Sequence, residues 1–415
     1  LVRPVLLGRE LLARAGRCTL AHGPLNVLVT SSRMPFALDE VRKIGRRGHR
    51  VYTVDSLGSA PGSHSRYTAE AFITAAPRDD PARFVEQLRR IVESRAIDLV
   101  VPCFEEVFWI SRHLGELGGV EVFASDAETL DRLHDKSRFA ALARSLGLRV
   151  PETVLVRSID ELDHAITRFP QFLAQPAFSR GGVDMLTNVG PLAAVRKRSE
   201  CRPTELAPWI VQEFVHGSDL CTFSVVRHGK VRAHVAYVHP RTIEHTGGIT
   251  LESVDDDRAL EAVETIVDAT GHHGQVAFDF IRSERGLYCI ECNVRPTLGV
   301  ALLDDALFVD ALLSEGPTDG RVVPAGVKRK ITWGLVRNIF RHPREIALDL
   351  RALFSGGKDV HLDLRDPMPA LYQMVAALAA LRRRREAVAS LPEHSRMLAA
   401  YLHDSAWDGA WLDAA

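Results

Sequence analysis

The strongest constraint on the fold is an alternation of apolar strands and amphipathic helices between residues 26 and 125. Strands are predicted in NVLVTSSRM (26–34), HRVYTVDS (49–56), IDLVVP (97–102) and VEVFAS (120–125), with helices over 35–47 and 81–94. Strand–helix–strand repeats of this kind form parallel sheets whose two faces are covered by helices. Such sheets bind ligands at the carboxyl ends of their strands. The sequence therefore predicts an N-terminal α/β domain with a ligand-binding edge, at which Ser31, Ser32, Arg33, Glu105 and Glu106 fall.

The predicted secondary structure changes after about residue 150, from strand–helix alternation to a stretch rich in short strands. Short strands are predicted in FLAQPA (172–177), WIVQEFV (209–215), LCTFSVVRHG (220–229) and KVRAHVAYVH (230–239), followed by a hairpin of GQVAFDFIRS (274–283) and GLYCIECNVRP (286–296). Helices are predicted over 126–134, 135–147, 158–169 and 257–271, with Asp126 and Asp135 as N-caps. The expected organisation is an extension (1–25), the α/β domain (26–125), an α+β unit (126–315) and a mainly helical C-terminal region (316–415).

The hairpin carries the strongest chemical signal. Glu291, Asn293 and Arg295 occupy alternate positions of one strand, so they project on the same side, and Asp279 on the partner strand can lie opposite them. Two carboxylates and an amide oxygen are a ligand set that suits Mg²⁺ or Mn²⁺. The alternative is a solvent-facing polar strip on an edge hairpin. The large apolar residues at the intervening positions indicate instead that one face of the hairpin is buried.

Three weaker signals accompany the hairpin. The segment QPAFSRGGVDM (175–185) resembles a loop whose backbone N–H groups fold over phosphates, although paired glycines also occur in ordinary turns. Lys136, at a predicted helix start, is the only lysine between residues 44 and 196, but a lone lysine there is often simply solvated. WIVQEFVHGSDL (209–220) places Asp219 soon after a strand and Gly217, which in isolation indicates only a strand and a turn.

Taken together, these signals follow an order that resembles the ATP-grasp superfamily, in particular its carboxylate–amine ligases and the related biotin carboxylase and carbamoyl phosphate synthetase arms. The resemblance covers about residues 26–312, and its most specific part is the pair FDFI and IECNVRP. It implies an α/β parallel-sheet (pre-ATP-grasp) domain followed by α+β ATP-grasp domains, with a mainly helical C-terminal tail. It also implies an ATP-dependent carbon–nitrogen ligase that works through an acyl phosphate, with ATP and Mg²⁺ (or Mn²⁺) bound.

The resemblance also implies roles for the matching residues. Asp279, Glu291 and Asn293 would bind the metal, and Arg295 would hold the substrate or the transferred phosphate. The backbone at Glu213 and Val215 would read adenine, and Asp219 would bind the ribose hydroxyls. The nucleotide site would comprise Lys136, Gln175, Ser179, Arg180, Gly181, Gly182, Glu213, Val215 and Asp219, in which 179–182 form the phosphate loop.

One position departs from the family pattern. Gln175-Pro176 stands where the family usually has Lys-Pro, so a positive charge near the phosphates is missing. Either Arg180 replaces that charge, or ATP binds more weakly, or the site is degraded. We favour replacement by Arg180, because the metal-binding acids and Arg295 are all present. Arg241, in the loop HPRTIEHTGGIT, is a second candidate for holding the substrate or the leaving phosphate, and it rests on position alone.

The composition of the chain limits the classes of partner that it is expected to bind. The formal net charge is −1, so there is no bulk attraction to nucleic acid or to an anionic membrane. No stretch approaches the roughly 20 apolar residues of a membrane span, and a cytoplasmic location is expected. Small carboxylate and amine substrates are the expected partners, and a homodimer is compatible with this interpretation. Residues 367–390 predict a helix with a basic end, which either packs on the protein or lies on a membrane surface; we favour packing.

Two other functions stay open at this point. One is an ATP-grasp carboxylase, or another acyl-phosphate enzyme with a different acceptor. The other is a module that binds ATP without turning it over, of which Gln175 would be the mark.

Overall fold

The computed structural model describes residues 23–180, 185–194, 196–243, 247–314, 320–389, 391 and 393–409. Its first layer is the predicted parallel sheet, with strand order β3-β2-β1-β4-β5 and every adjacent pair parallel. The strands are β1 (Asn26–Val29), β2 (Arg50–Asp55), β3 (Thr68–Ile73), β4 (Leu99–Val101) and β5 (Glu121–Val122). The helices of this part are α1 (Pro35–Arg46), α2 (Pro81–Arg95), α3 (Val107–Arg112), α4 (Ala127–His134) and α5 (Lys136–Ser145).

Local sequence explains where several of these helices begin. The Asp126 carboxylate accepts a hydrogen bond from the Thr129 N–H, and Asp135 accepts from the N–H groups of Ser137 and Arg138. Such caps satisfy N–H groups that have no partner within the helix. The predicted break between α4 and α5 at His134–Asp135 is therefore confirmed.

A four-stranded antiparallel sheet with order β6-β9-β7-β8 forms the second layer. Its strands are β6 (Thr153–Val156), β7 (Phe172–Pro176), β8 (Leu186–Thr187) and β9 (Trp209–Glu213), and helix α6 (Ile159–Ile166) lies between β6 and β7 in sequence. Phe169, Phe172 and Trp209 are buried in a separate small core beneath it. This sheet carries Gln175 on β7 and Glu213 at the end of β9.

A seven-stranded sheet with order β16-β15-β10-β11-β14-β17-β18 forms the third layer, antiparallel except between β17 and β18. Its strands are β10 (Ser218–Arg227), β11 (Lys230–Val238), β14 (Thr250–Val254), β15 (Gly274–Ser283), β16 (Gly286–Asn293), β17 (Lys328–Lys330) and β18 (Lys358–Asp359). Strands β12 (Thr242–Ile243) and β13 (Gly247–Gly248) form a separate two-stranded sheet. Helix α7 (Asp257–Thr270) precedes β15 in sequence, and helix α8 (Asp305–Leu313) follows β16. The predicted β15–β16 hairpin is present and lies at one edge of this sheet, with a register shift directly after Asp279.

The C-terminal region is mainly helical, as predicted, with α9 (Thr332–Arg341), α10 (Ile346–Leu353), α11 (Met368–Arg383) and α12 (Glu393–Leu402). Helix α11 packs through Ala376 and Ala380, but Leu371, Met374 and Val375 remain exposed, so it is only partly the packed helix that we expected. In the part of the chain that the structure describes, no helix has the length and apolar character needed to cross a membrane.

After α12, the chain returns to the carboxyl ends of the first sheet. The buried Asp404 forms an ion pair with Arg33, which also binds Asp55 at 2.6 Å. Trp407 is 2% exposed and packs between Phe108 and Trp109, at ring-centroid distances of 5.4 and 5.1 Å. The predicted ligand-binding edge of the parallel sheet is therefore in part covered by residues 403–409.

Candidate active site

The two predicted metal-binding acids face each other across the hairpin. Asp279 on β15 is the direct cross-strand partner of Glu291 on β16. Phe278, Phe280 and Cys292, which flank them, are buried, so the hairpin is anchored on its other face and presents the two carboxyl groups together. Burial and the adjacent negative charge of Glu291 raise the pKa of Asp279. The pair therefore holds a proton more readily than an isolated carboxylate does.

Lys136 lies against this pair. Its Nζ is 3.1 Å from Glu291 Oε2 and donates to the carbonyl oxygen of Ser179 at 2.9 Å. The position is set by the start of α5, because Asp135 caps the helix and leaves Lys136 as its first residue. Burial would raise the pKa of Glu291, but the Lys136 ammonium lowers it, and the net direction is down. Glu291 is therefore the charged member of the pair.

Asn293 and Arg295 extend the same row. Asn293 Nδ2 donates to Glu291 Oε1 at 3.2 Å, and Arg295 Nη2 donates to Asn293 Oδ1 at 3.2 Å. The Arg295 guanidinium lies over the ring of Phe104, 4.8 Å from its centroid. These contacts bring the predicted metal-binding residues, Lys136 and Arg295 into one continuous polar network.

Glu105, for which no specific role was predicted, joins this network to the phosphate loop. Its carboxylate lies 2.8 Å from Arg180 Nη2 and 3.6 Å from Arg295 Nε, and it accepts from the Trp407 N–H at 2.7 Å. Burial would raise the pKa of Glu105, but the charges of Arg180 and Arg295 lower it. The only local signal for Glu105 was its place after the strand IDLVVP, at the carboxyl edge of the sheet.

Two of the predicted phosphate-loop residues, Ser179 and Arg180, contact other residues of the candidate site. Ser179 Oγ donates to Gln175 Oε1 at 3.0 Å, while the Ser179 carbonyl accepts from Lys136. Arg180 binds Glu105 and also donates to the Trp407 carbonyl oxygen. The predicted loop residues Gly181 and Gly182 lie outside the described residues. Arg180 is thus connected through Glu105 to Arg295, and its replacement of the missing lysine stays a prediction.

The predicted adenine segment borders a cavity of about 660 Å³. Glu213, Val215, Gly217, Arg282 and Tyr288 are among its lining residues. Gly217 is required by close packing, because a Cβ atom there would lie 2.3 Å from the Arg282 carbonyl oxygen. The volume falls within the range of small-molecule sites. Asp219 is exposed near the start of β10, next to this cavity in sequence.

Arg241 is engaged elsewhere. Its guanidinium binds Asp349 at 2.8 Å and Glu345 at 2.5 Å, and Asp349 is fully buried and also accepts from Asn338. These contacts fasten the loop after β11 to helices α9 and α10. A catalytic role for Arg241 gains no support from them and stays a prediction.

Among the described residues, no group of three His, Cys, Asp or Glu side chains could hold a metal ion. The hairpin set consists of two carboxylates and an amide, so a metal ion held there would need Asn293 and further ligands from a nucleotide. This composition fits Mg²⁺, which keeps several oxygen ligands from water and phosphate.

No protein-family model matches the chain. Among curated proteins, it is 23% identical over 206 residues to the multifunctional protein ura1 of Schizosaccharomyces pombe, a match covering 46% of this chain and 9% of that protein. It is 27% identical over 126 residues to the carbamoyl phosphate synthase large chain of Pseudomonas putida, covering 27% of this chain and 12% of the relative. The matched segments thus span about a tenth of these relatives.

Solved structures show a broader likeness. An ADP complex of N5-carboxyaminoimidazole ribonucleotide synthetase superposes with a TM-score of 0.59 at 13% identity, covering 78% of this chain and 86% of that one. A β-γ-ATP complex of biotin carboxylase from Campylobacter jejuni gives 0.56 at 15% identity, covering 72% and 73%. At these identities the likeness concerns the fold. The chain has the ATP-grasp fold.

Proposed function

We propose that this protein is an ATP-dependent carboxylate–amine ligase. The observation that carries the proposal is the pairing of Asp279 with Glu291, beside Asn293 and within reach of Lys136. Two facing acids on a buried hairpin are costly unless a cation neutralises them. Lys136 can neutralise only one of the two carboxylates. The raised pKa of Asp279 reflects its burial and the negative charge of Glu291, which are not fully offset.

Asp279, Glu291 and Asn293 would hold the Mg²⁺ or Mn²⁺ ion. The ion, when bound, would neutralise charge on the phosphates during transfer. Lys136 would exchange Glu291 for a nucleotide phosphate once the metal occupies the carboxylates. Arg295, held over Phe104 and tied to Asn293, is preorganised to hold the substrate carboxylate or the transferred phosphate.

The nucleotide would lie along the same edge. The cavity at Glu213–Val215 would take adenine through backbone groups, and Asp219 would accept from the ribose hydroxyls. Arg180 and Ser179 would face the phosphates, with Lys136 at the base of their loop. Arg180 would have to leave Glu105 in order to contact a phosphate directly.

The reaction would proceed in two displacements. A carboxylate oxygen of the first substrate attacks the γ-phosphorus of ATP, and the bond to the β-phosphate oxygen breaks, giving an acyl phosphate and ADP. The nitrogen of the amine then attacks the acyl carbon, phosphate leaves with the C–O electron pair, and the nitrogen loses a proton. The products are an amide, ADP and phosphate. Such a ligase would serve amino-acid, peptide or natural-product biosynthesis in the cytoplasm, as a monomer or a homodimer.

Mass spectrometry of reactions with ATP, Mg²⁺ and pooled carboxylates and amines tests the proposal. An amide mass that appears together with ADP, and that Glu291→Gln removes, is the expected result. ADP formation that needs bicarbonate and gives no amide would show an acyl-phosphate enzyme with a different acceptor. ATP binding without ADP under all mixtures would leave a nucleotide-binding module.

A further inference from the structure

A second large cavity lies far along the chain from the hairpin. It is a groove of about 1440 Å³ between α9, α11 and α12, and its residues include Met34 and Pro35 at the first βα turn. Tyr401 lines it and donates from its hydroxyl to the Arg33 carbonyl oxygen at 2.5 Å. We call it the α9–α12 groove. None of the described residues that are assigned above to the nucleotide or the metal lines it.

The groove is strongly basic. Five arginines line it, and Glu393 is its only acidic lining residue in the described part of the chain; the arginines are Arg337, Arg341, Arg382, Arg385 and Arg396. Across residues 332–402 the sequence has eleven Arg and Lys residues against seven Asp and Glu, although the whole chain has a net charge of −1. The positive charge is therefore concentrated at this region, which favours an anionic occupant.

The groove is also apolar, and its apolar surface continues outward. Met397 and Leu398 line it while 46% and 48% exposed. On α9, Trp333 and Phe340 are exposed four residues before and three residues after Arg337, so they share a face with it. On α11, Leu371, Met374 and Leu378 are exposed beside the groove-lining turns. Exposed apolar side chains grouped on the helices around a groove are typical of an interaction site.

The methionines support the same conclusion. The chain has five, and three of them, Met368, Met374 and Met397, are exposed on α11 and α12. Met34 lies at the buried end of the groove. Methionine is flexible and polarizable, and it is frequent on surfaces that accept apolar side chains of a partner.

The volume and the positive charge of the α9–α12 groove together favour one class of occupant. The volume exceeds the roughly 300–1,000 Å³ of small-molecule sites. A second copy docking through this same surface would set arginines against arginines, because a two-fold interface pairs a surface with itself. A flat bilayer surface does not fill a groove. A helix about 10–12 Å in diameter, apolar on one side and acidic on its flanks, matches both the volume and the rim.

We propose that the α9–α12 groove binds an acidic amphipathic helix of a partner protein. The apolar side of that helix would lie among Met34, Ala377 and Leu381, and its acids would pair with the arginines at the rim. The inference does not depend on the ligase activity, since it uses none of the residues of that site.

Three labelled peptides of about 14 residues, with leucines at i, i+3, i+4 and i+7, test this with the full chain. Their flanking positions carry Glu, Gln or Lys. Fluorescence anisotropy should show the Glu peptide binding at least about tenfold more tightly than the Lys peptide. Its affinity should fall as salt rises from about 50 to about 300 mM, because rim ion pairs are screened. Equal binding of the Glu and Lys peptides would overturn the proposal.

Two variants and one control locate the site. Arg382→Glu with Arg385→Glu should weaken the Glu peptide at least about tenfold, and Ala377→Trp should weaken it while leaving every charge in place. Arg90→Glu with Arg258→Glu, on the exposed surfaces of α2 and α7, should leave the affinity unchanged, and thermal melts should show all variants folded. Unchanged affinity in both groove variants would overturn the proposal. Binding to anionic phospholipid vesicles without peptide binding, or a dimer that the reversed arginines abolish, would replace it with a membrane surface or a self-interface.

Discussion

Lys136 Nζ lies 3.1 Å from Glu291 Oε2, which joins the first residue of α5 to an acid of the β15–β16 hairpin. The two residues are predicted to contact different partners once ATP and Mg²⁺ bind, the lysine a phosphate and the acid the metal. The Lys136 ammonium and the Glu291 carboxylate neutralise each other in this contact. Each would therefore have to exchange it for a contact with its ligand when ATP and Mg²⁺ bind.

Glu291→Gln should abolish ATP turnover and leave the fold intact. The amide keeps the shape of the side chain but removes the charge that would hold the metal, so ADP production should fall by about 10²-fold or more. Coupled ADP release measures the rate, and circular dichroism checks the fold. Glu261→Gln, on the exposed surface of α7, is the matched control and should keep the wild-type rate. Near-normal turnover in Glu291→Gln would show that the metal assignment is wrong.

Local patterns were sufficient for much of the fold. The N-caps Asp126 and Asp135 and the hairpin that pairs Asp279 with Glu291 depend on neighbouring residues, and they were predicted. Strand β3 was missed, because its side chains alternate in exposure at a sheet edge and it lacks a strong apolar run.

The partners of Glu105 could not be predicted in the same way. Arg180 is 75 residues away in sequence and Trp407 is 302 away. No periodicity in the sequence reports which distant groups meet at one carboxylate. The covering of the sheet edge by residues 403–409 was missed for the same reason.

Trp407→Ala should be strongly destabilising. The side chain is 2% exposed between Phe108 and Trp109, so its removal leaves a cavity and should cost about 3–5 kcal/mol of unfolding free energy. Trp333→Ala removes an identical side chain that is 55% exposed and should cost no more than about 0.5 kcal/mol. Urea unfolding of both variants compares them directly. Similar losses would show that the C-terminal segment does not pack on the first sheet as described.

His234 should make the protein less stable in acid. Burial lowers the pKa of His234 to about 4, so the folded state keeps it neutral while the unfolded state takes up a proton below about pH 6.5. The stabilising contribution is complete above that pH and is lost as the pH falls toward 4. Between pH 7.5 and 5, His234→Gln should therefore lose roughly 2 kcal/mol less unfolding free energy than wild type. Identical losses in urea titrations would contradict this.

If the charge missing at Gln175 is a real weakness, Gln175→Lys should tighten ATP binding at a cost to the stability of the protein without ATP. Gln175 is buried and accepts from Ser179, whose carbonyl already binds Lys136, so a second ammonium would lie near the first. Phosphates would relieve that repulsion, and a charge-assisted hydrogen bond is worth about 1.5–3 kcal/mol. Calorimetric titration with ATP and thermal melts without it measure the two effects. Unchanged or weaker ATP affinity would indicate that Arg180 already supplies the charge, or that the site is remodelled.

The most direct test of the central claim is the thermal stability of the wild-type protein with ATP and Mg²⁺, ATP and EDTA, or NADH. A ligand that binds only the folded state at about 100 times its dissociation constant stabilises it by roughly 2.7 kcal/mol. ATP with Mg²⁺ should raise Tm by several degrees, ATP with EDTA much less, and NADH not at all. Asp279→Asn should lose the Mg²⁺-dependent part of the stabilisation and keep most of the rest, which the segment at Glu213 and Val215 would supply. Stabilisation by NADH and not by ATP, or an equal shift with and without Mg²⁺, would contradict the proposed metal-dependent ATP site.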